Sequence, residues 1–474
     1  MRTAGVAFAL SLTAALALTP LVRGLARRLQ LFDSPGTRKL HTAPVPRIGG
    51  VAIVLAFFAP LVGLLLIETD LGGAFLEDTQ RVAGLFAGGL AIATLGVYDD
   101  LHGATAREKL AVQLVVALLM YGLGFRIELL ANPFGADLSL GWLGLPLTLF
   151  WIVGVINALN LIDGLDGLAA GVSLFAIGVM LVTAWFQEQP LMFLFGAALA
   201  GAVLGFLLYN RNPASIFMGD SGSMFLGFVL ATTALQTNQK SSTAVALLTP
   251  IVALGLPILD TLLAIARRAA RGRPLFGADR EHVHHRLLGL GLSQRQAALV
   301  LYGFCVFLGL VALALTFANG METGLLLAVL AVATVTLGRK LGYFQVSLLW
   351  SLAPLRRRNR LRFERVRELG AAMHGAADRS SVIALLPQLA AIVGAESVRL
   401  VLPAPKGARG PADPLVVRFP VPTAVEEVAV EVTWTDDRAE VGRDDELVIE
   451  LFCRALGPSL DRLAAERVAG EVAG

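Results

Sequence analysis

Long apolar runs separated by short polar connections fill the chain as far as residue 340. A helix needs about 17–25 apolar residues to cross a bilayer, and eleven runs reach that length. They are the segments near 4–22, 48–67, 81–97, 109–126, 142–159, 168–187, 191–209, 222–238, 243–266, 297–317 and 322–338. The pattern predicts an all-α polytopic membrane protein with about eleven transmembrane helices.

The connections between these runs fall into two sets that differ in charge. Lysine and arginine concentrate in the connections that follow odd-numbered runs and in the segment after Arg339. The positive-inside rule assigns this set to the cytoplasm, so the N-terminus is expected outside and the C-terminal tail inside. Only Arg2 precedes the first run. A signal peptide carries its positive charge before the apolar stretch, so this run is interpreted as a retained helix.

A soluble tail begins at "RRRNRLRFERVRELG", where the apolar runs stop. It is predicted to fold as a small cytoplasmic α+β domain over 355–474, next to a transmembrane domain over 1–340. In "VAVEVTW" apolar residues alternate with others, as in a half-buried strand. The order of elements faintly resembles part of a GAF-like module, without a ligand motif. The predicted strands lie near 397–403, 414–420 and 428–434, and a long final helix lies near 444–467.

The composition agrees with a membrane protein and argues against nucleic-acid binding and against a cysteine-based site. Hydrophobic residues make up 56% of the 474 residues, charged residues make up 16%, and the mean hydropathy is +0.70. A net charge of +3 gives the chain no electrostatic footprint for nucleic acid. Cys305 and Cys453 form no pairing or metal-binding pattern, so neither a disulfide framework nor a cysteine metal site is expected.

Acidic, amide and histidine side chains gather at the ends of the runs on the predicted cytoplasmic side. The third run ends in "YDDLHG", which carries Asp99 and Asp100. A carboxylate in hydrocarbon is costly, so this pair needs either a partner or a task unless it is simply a solvated helix end. Neighbouring residues on a helix point about 100° apart. The two carboxylates are therefore expected to have separate roles.

The segment "NALNLIDGLDGLAAG" carries an amide or a carboxylate at every third position, namely Asn157, Asn160, Asp163 and Asp166. Successive members of such a series are neighbours on a helix. The glycines between them remove side-chain bulk and allow close approach of a ligand or a helix. The stripe is expected either to line a polar cleft or to form a polar seam between helices.

Asp220 stands in "MGDSGSMFLG", among small residues just before another run. A helix N-terminus there would favour an anion. A carboxylate beside that anion suggests a divalent cation between them, since Mg²⁺ commonly joins one or two carboxylates to substrate phosphates. An ordinary helix cap is the alternative.

The last cytoplasmic connection contains the histidine motif "HVHHR", with His282, His284, His285 and Arg286. These residues form either a zinc site or a cationic set for phosphate. The phosphate interpretation is favoured, because no convergent companions for zinc are evident. In the first connection, Lys39 in "RKLHTAPVPR" adds positive charge to the same surface, as a purely topogenic loop also would.

Together these segments resemble the polyprenyl-phosphate N-acetylhexosamine-1-phosphate transferase family over residues 1 to about 340. The motifs are "RKLHTAPVPRIGG", "YDDLHG", "NALNLIDGLDGL", "GDSGSMFLGF" and "HVHHRLLGLGLS", in the family's order. The last one resembles the undecaprenyl-phosphate GlcNAc-1-phosphate transferase branch more than the muramoyl-pentapeptide branch. The resemblance implies a bacterial inner-membrane enzyme with a cytoplasmic active site that uses Mg²⁺, or Mn²⁺ as an alternative. It would move GlcNAc-1-phosphate from UDP-GlcNAc to undecaprenyl phosphate and release UMP.

The resemblance also implies roles for individual residues. Asp220, with Asp99 or Asp100, would hold the metal ion, and the other member of the pair would orient or deprotonate the lipid phosphate. The remaining aspartates would shape the nucleotide-sugar cleft as part of the catalytic set. The catalytic set is Asp99, Asp100, Asp163 and Asp166, and the substrate-binding set is Lys39, Asn160, His282, His284, His285 and Arg286.

Other functions stay open at this point. Another UDP-amino sugar or UDP-MurNAc-pentapeptide could replace UDP-GlcNAc as donor, and an assembly of two copies is an open alternative. A secondary transporter would place ionisable residues deep within its spans and contain internal repeats. Here the acids cluster at one side and no repeat is evident. A membrane-anchored sensor working through its tail would leave the motifs of the loops unexplained.

Overall fold

The computed structural model describes the chain in stretches. These are residues 2–33, 44–64, 73, 78–130, 138–239, 248–272, 282–318, 320–340, 352–376, 378–401, 415–423, 428–436 and 441–473. The chain divides into two compact units, of which the first comprises Met1–Ile265 and Phe276–Gln345. The second comprises Val346–Gly474 and also Ala266–Leu275, a segment that the predicted C-terminal domain did not include.

Helices dominate the first unit, and one of them continues from Ala266 to Arg271 into the second unit. They are α1 (Arg2–Arg28), α2 (Gly50–Leu64), α3 (Thr79–His102), α4 (Ala106–Gly122), α5 (Gly144–Ile162), α6 (Leu168–Phe186), α7 (Pro190–Asn210), α8 (Gly219–Gln239), α9 (Leu248–Ala253), α10 (Gly255–Arg271), α11 (Val283–Gly289), α12 (Gln294–Phe317) and α13 (Gly320–Lys340). Two short antiparallel pairs lie between them, β1 (Phe32–Asp33) with β2 (Val45–Pro46) and β3 (Leu129–Leu130) with β4 (Leu138–Ser139). A 3₁₀ turn, Gly141–Leu143, precedes α5.

Seven helices among the described residues are long and apolar enough to cross a membrane, namely α1, α3, α5, α6, α7, α12 and α13. They confirm the prediction of a mainly helical, multi-pass membrane protein. The runs near 48–67 and 109–126 correspond to α2 and α4, which have 15 and 17 residues. The count of eleven spans and the outward N-terminus stay predictions.

The described part of the run near 243–266, from residue 248 onward, is not one continuous helix. The structure has α9 and α10 there, with a break at Leu254. Pro257 has no N–H to donate to the carbonyl of Ala253, four residues earlier, so the helical hydrogen-bond ladder is interrupted at this point. The described part of this run therefore consists of two helices, the second of which carries Asp260, and its crossing of the membrane as one span stays a prediction.

Glycines bring the helices around the acidic motifs into backbone contact. A Cβ added to Gly96 of α3 would lie 2.4 Å from Ser221 Cα, and one added to Gly227 of α8 would lie 2.6 Å from Ile156 Cα. Since neither separation leaves room for a side chain, α8 lies directly against α3 and α5. Asp220 is in the first turn of α8, so this packing determines the position of its carboxylate.

The second unit has its own sheet and core. Its elements are α14 (Leu352–His374), α15 (Arg379–Ile383), α16 (Leu386–Val393), β5 (Ser397–Val401), β6 (Leu415–Val421), β7 (Val428–Trp434) and α17 (Arg443–Ala473). The strands form an antiparallel sheet in the order β5-β7-β6. Val430, Val432 and Trp434 are fully buried in a core that includes Phe452 of α17. The alternation predicted for the last strand is confirmed, because every second residue of β7 is buried.

Candidate active site

A tight turn between α3 and α4 brings a lysine back onto the aspartate pair. Gly103 ends α3 in the left-handed conformation, with φ +76°, which favours glycine. Thr105 then starts α4 with a capping box to Glu108. Lys109 follows within the first turns of α4, and its Nζ lies 2.9 Å from Asp99 Oδ2. The turn thus gives this carboxylate a cation.

The same ammonium group reaches a third element of the site. Lys109 Nζ lies 2.8 Å from Asp220 Oδ2, although the two residues are 111 positions apart in the chain. Lys109 therefore joins Asp99 and Asp220 through one positive charge. Two carboxylates that share one cation leave an excess of negative charge, so the place is suited to a further cation.

Asp100 has different partners from its neighbour. Its carboxylate accepts hydrogen bonds from the backbone N–H groups of Asp220 and Ser221 at 3.0 and 3.1 Å, and from Arg47 at 2.8 Å. The backbone contacts satisfy N–H groups at the N-terminus of α8 that have no hydrogen-bond partner within the helix. The side chain of Asp100 is 0% exposed. Asp100 therefore anchors α8, while Asp99 contacts the shared lysine.

The turn between α5 and α6 holds the next two aspartates and is tied to the end of α7. Asp166 accepts hydrogen bonds from the side chain of Asn212 at 2.9 Å and from the backbone N–H of Ala214 at 3.0 Å. Gly167, with φ +75°, donates its N–H to the side chain of Asn210 at 3.1 Å. Asp166 thus serves as an acceptor that helps to hold this turn.

Asp163, the C-cap of α5, is half-buried among like charges. Burial and the nearby carboxylates of Asp220, Asp100 and Asp166 raise the pKa of Asp163 to about 8. A carboxyl group in such surroundings keeps its proton unless positive charge is brought close to it. The turn therefore has the same shortage of positive charge as the pair bridged by Lys109.

The asparagines of the stripe bond to neighbouring helices. Asn160 Nδ2 donates to Ser223 Oγ of α8 at 3.0 Å, and Asn157 Nδ2 donates to Gln113 Oε1 of α4 at 2.6 Å. Such bonds belong to a polar seam between helices. Asp163 lies beyond them in the turn, so the seam interpretation holds for Asn157 and Asn160, and the cleft interpretation of the two aspartates stays a prediction.

The histidine segment forms α11 and its N-cap. His282 Nδ1 lies 2.9 Å from Asp260 Oδ2, and the N–H of Val283 donates to the other carboxylate oxygen at 2.9 Å. A Cβ added to Gly164 would lie 2.4 Å from His284 Nε2. The histidine segment therefore touches the turn that carries Asp163, and only a glycine at this point leaves room for the ring.

Burial separates the histidines into two kinds. His282 and His284 are 5% and 2% exposed, whereas His285 and Arg286 are half-exposed. Burial, together with the neighbouring His285, lowers the pKa of His284 to about 3, so its ring is neutral. Among the described residues, His284 Nδ1 has no hydrogen-bond partner. A buried polar atom without a partner calls for an explanation, and a bound ligand would provide one.

The donor set suits a hard divalent cation better than zinc. In the part of the chain that the structure describes, no three His, Cys, Asp or Glu side chains are grouped closely enough to hold a metal ion by themselves. Zinc sites need three or four such ligands. Mg²⁺ needs fewer, because it takes one or two carboxylates and completes its coordination with water and substrate phosphates. Asp99 and Asp220, already joined through one cation, fit that requirement.

Two residues of the site are not found by sequence reasoning. Lys109 has a signal, since the capping box in "TARE" starts a helix directly after the acidic motif and places the lysine one turn in. Asp260 has none, because its partner His282 is 22 positions away. The predicted substrate-binding residue Lys39 lies outside the described residues.

Several known proteins resemble this chain. The sequence profile of glycosyl transferase family 4 matches residues 82–238, which contain all the aspartates from Asp99 to Asp220 described above. A probable undecaprenyl-phosphate N-acetylglucosaminyl 1-phosphate transferase of Bacillus subtilis is 40% identical over 63% of this chain and 80% of its own length. The fold and the site thus define a membrane-embedded glycosyltransferase.

Two further relatives extend the similarity. A decaprenyl-phosphate N-acetylglucosaminephosphotransferase of Mycobacterium tuberculosis is 37% identical over 61% of this chain and 76% of its own length. A phospho-N-acetylmuramoyl-pentapeptide-transferase of Halalkalibacterium halodurans is 33% identical over 59% of this chain and 88% of its own length. The chain belongs to the polyprenyl-phosphate N-acetylhexosamine-1-phosphate transferase family, as its motifs predicted.

Proposed function

We propose that this protein transfers N-acetylglucosamine 1-phosphate from UDP-GlcNAc to undecaprenyl phosphate at the cytoplasmic face of a bacterial inner membrane and releases UMP. The observation that carries the proposal is the bridge of Lys109 between Asp99 and Asp220, next to a turn that is also short of positive charge. Phosphoryl transfer depends on positioning and on charge stabilisation, which such a site can offer. The names of the relatives, with polyprenyl phosphate and N-acetylglucosamine phosphate, narrow the substrate class.

The net reaction joins two anions. An oxygen of the lipid phosphate forms a bond to the β-phosphorus of the donor, and the bond between that phosphorus and the oxygen bridging to the α-phosphate breaks. The electron pair leaves with UMP, and the sugar remains on a lipid-linked diphosphate. Because the reacting groups repel each other, the protein must place positive charge around both phosphates.

Asp99 and Asp220 would hold a Mg²⁺ ion, with Mn²⁺ as an alternative. When bound, that ion would neutralise phosphate oxygens of the donor. Lys109 keeps the two carboxylates close together, and an ammonium freed from one of them can donate to a phosphate oxygen. Asp100 keeps α8, and with it Asp220, in register through the backbone of α8.

The histidine segment would bind the nucleotide-sugar side of the cleft. Arg286 offers a permanent positive charge for the diphosphate. The neutral ring of His284 offers a hydrogen bond at Nδ1, beside the turn that carries Asp163. Asp163 and Asp166 shape that turn, and Asn160 connects the end of α5, just before the turn, to α8. Each group thus binds or positions the donor against the carboxylates.

The similarity to known proteins favours UDP-GlcNAc over UDP-MurNAc-pentapeptide as donor. The N-acetylglucosamine relatives of Bacillus subtilis and Mycobacterium tuberculosis are 40% and 37% identical, and one of Escherichia coli is 28% identical, against 33% for the pentapeptide relative of Halalkalibacterium halodurans. The location of the acids also favours an enzyme over a transporter. Asp99 and Asp100 are in the last turn of α3 and Asp220 is in the first turn of α8, at helix ends and not in mid-span.

Transfer by purified full-length protein tests this proposal. The protein in detergent is incubated with undecaprenyl phosphate, Mg²⁺ and one UDP-sugar at a time, and both the lipid product and UMP are measured. We expect equal amounts of lipid-linked GlcNAc diphosphate and UMP with UDP-GlcNAc. Lys109→Met should be nearly inactive, whereas Lys340→Met, an exposed lysine at the end of α13, should match the wild type.

Two results would contradict the proposal. If the lipid product forms only from another UDP-sugar, then that sugar nucleotide, and not UDP-GlcNAc, is the donor. Release of UMP without a lipid product would show hydrolysis, not transfer to a polyprenyl acceptor.

A further inference from the structure

Asp260 is a buried carboxylate for which the transfer reaction has no direct use. It lies in α10 and is 4% exposed. Both of its oxygens are engaged by the start of the histidine segment, one with the ring of His282 and one with the N–H of Val283, each at 2.9 Å. A buried carboxylate is retained only where its partners satisfy it. The contact therefore ties α10 to the segment that carries the histidines.

Asp260 contacts both a side chain and a backbone group of the histidine segment. The ring contact sets the orientation of His282, and the N–H contact sets the first turn of α11. A helix N-terminus has N–H groups without helical partners, and Asp260 satisfies one of them from another part of the chain. The position and the direction of α11 are thus specified together.

The ring of His282 also packs against the next histidine of the motif. Its ring is parallel to that of His284, with an angle of 3° and centroids 5.9 Å apart. The centroids of the rings of His284 and His285 are 4.3 Å apart. His284 also packs on Gly164 of the aspartate turn. A shift of His282 would therefore move the two following rings relative to Asp163.

We infer that Asp260 and His282 form a buried support that positions His284, His285 and Arg286 against the aspartate turn, and that His282 does not itself contact substrate. The inference deepens the proposed function and rests on it only for what the positioned groups bind. Asp260 and His282 are positioning residues. This assigns a different role to His282 from the substrate-binding role that the sequence predicted.

Chemical modification of histidines tests the positioning without any substrate. Diethylpyrocarbonate acylates accessible neutral imidazoles, and mass spectrometry of the full-length protein in detergent reports the rate at each histidine. In the wild type, the exposed His102 and His374 should react fast, and His282 and His284 should react slowly. In Asp260→Leu, both slow rates should rise by about tenfold or more, with His102 unchanged.

Two further variants separate a specific support from general damage. Asp260→Asn keeps an oxygen for the N–H of Val283 and an amide for the ring of His282, so it should restore most of the protection. Asp78→Leu removes a half-buried aspartate that pairs with Arg81 at the start of α3, and it should leave the rates of His282 and His284 at the wild-type level. If Asp260→Leu does not fold, the same pattern is sought in His282→Phe, where the rate at His284 should rise.

Kinetics with UDP-GlcNAc test what the support positions. Asp260→Leu should raise KM for the nucleotide sugar by about tenfold to a hundredfold, the range that misplacement of binding groups produces. KM for undecaprenyl phosphate should stay near its wild-type value. The double variant Asp260→Leu/His282→Phe should be no worse than Asp260→Leu alone, because both changes remove one support.

Distinct results would overturn the inference. If His282 and His284 stay protected in Asp260→Leu, the support does not exist. If His282→Phe abolishes transfer while His284 stays protected, His282 acts on the substrate directly. If the labelling pattern is as expected but no variant, nor the wild type, transfers sugar phosphate, the support stands and the proposed function fails.

Discussion

Carboxylates and cations meet in both units of this protein, with different outcomes. In the first unit, Asp99 and Asp220 share the single charge of Lys109. In the second unit, Asp445 is paired with Arg362, and Glu431 is paired with Arg418. The acids of the first unit outnumber the cations that bind them, whereas these acids of the second unit have an arginine each.

The difference indicates which group of charges forms a site. Where each acid has its own cation, the pairs can stabilise a fold and need nothing more. Where buried acids share a cation, the remaining negative charge has to be met by protons, by ions or by a ligand that brings a cation with it. Arg443 of the second unit is also shared, between Glu446 and Glu450. The shared lysine of the first unit differs because the aspartate turn and the histidine segment lie beside it, and this combination defines the candidate active site.

The largest expected effect tests the carboxylates of the first unit. Asp220→Asn should keep the fold but lower kcat on the order of a thousandfold, because an amide is a poorer ligand for a hard cation and the loss of one electrostatic group at a reacting phosphate has this size. Turnover is measured at saturating and at limiting Mg²⁺. The matched change Asp445→Asn in the second unit should leave kcat unchanged and lower the thermal unfolding midpoint. Wild-type turnover by Asp220→Asn at limiting Mg²⁺ would remove Asp220 from the site.

A smaller effect is expected from the shared cation. Lys109→Met should lower kcat by about a hundredfold, because two carboxylates lose their joint partner and a phosphate loses a donor. Lys109→Arg should recover part of the activity, since it keeps the charge. Arg418→Met, which removes the partner of Glu431, provides the comparison in the second unit and should not change turnover. Equal kcat values for Lys109→Met and the wild type would show that the bridge is only structural.

The two units should also respond to pH with opposite signs. The pKa of Asp163 is raised to about 8 in the folded protein, whereas an unperturbed aspartate has a pKa of about 3.9. The folded state therefore binds more protons between these values, and this group's contribution to stability is lost as the pH rises towards about 8. In the second unit, hydrogen bonds from Ser381 lower the pKa of Asp378, so its contribution is lost as the pH falls.

Thermal unfolding of the full-length protein in detergent, followed from pH 5 to pH 9, separates these contributions. Asp163→Asn should remove the loss of stability towards high pH, and Asp378→Asn should leave that limb unchanged. Added Mg²⁺ should stabilise the wild type more at high pH than at low pH, because the cation competes with the proton of Asp163. A flat wild-type profile above pH 6 would contradict the high pKa of Asp163.

The smallest effect is expected from the second unit as a whole. Removal of residues 355–474 should change kcat by less than about tenfold, equivalent to about 1.4 kcal/mol of barrier. The second unit has its own buried core, and none of the groups assigned to transfer belongs to it. Turnover and elution volume are measured together, so that an unfolded truncation is recognised. A larger loss in a well-folded truncation would place part of the catalytic machinery in the second unit.

Much of the fold could be predicted because local pattern and local structure are closely linked here. In hydrocarbon, every backbone polar group must be satisfied within the segment, so an apolar run of sufficient length becomes a helix. Side chains alternate between the two faces of a strand, so the alternation of apolar and other residues in "VAVEVTW" predicted β7. The position of the break between α9 and α10 could not be predicted, since a proline within a membrane run either bends or ends the helix according to its neighbours.

The sequence by itself determined the helical membrane architecture, the sheet of the second unit and the residue types available for phosphate chemistry. Only the tertiary structure decided that Lys109 also contacts Asp220 while Asp100 caps α8, and that Asp260 supports His282. These pairings join residues up to 121 positions apart. They depend on how closely the helices approach one another at glycines such as Gly96 and Gly227. A charge interaction depends on distance in space, and no local pattern in the chain encodes that distance.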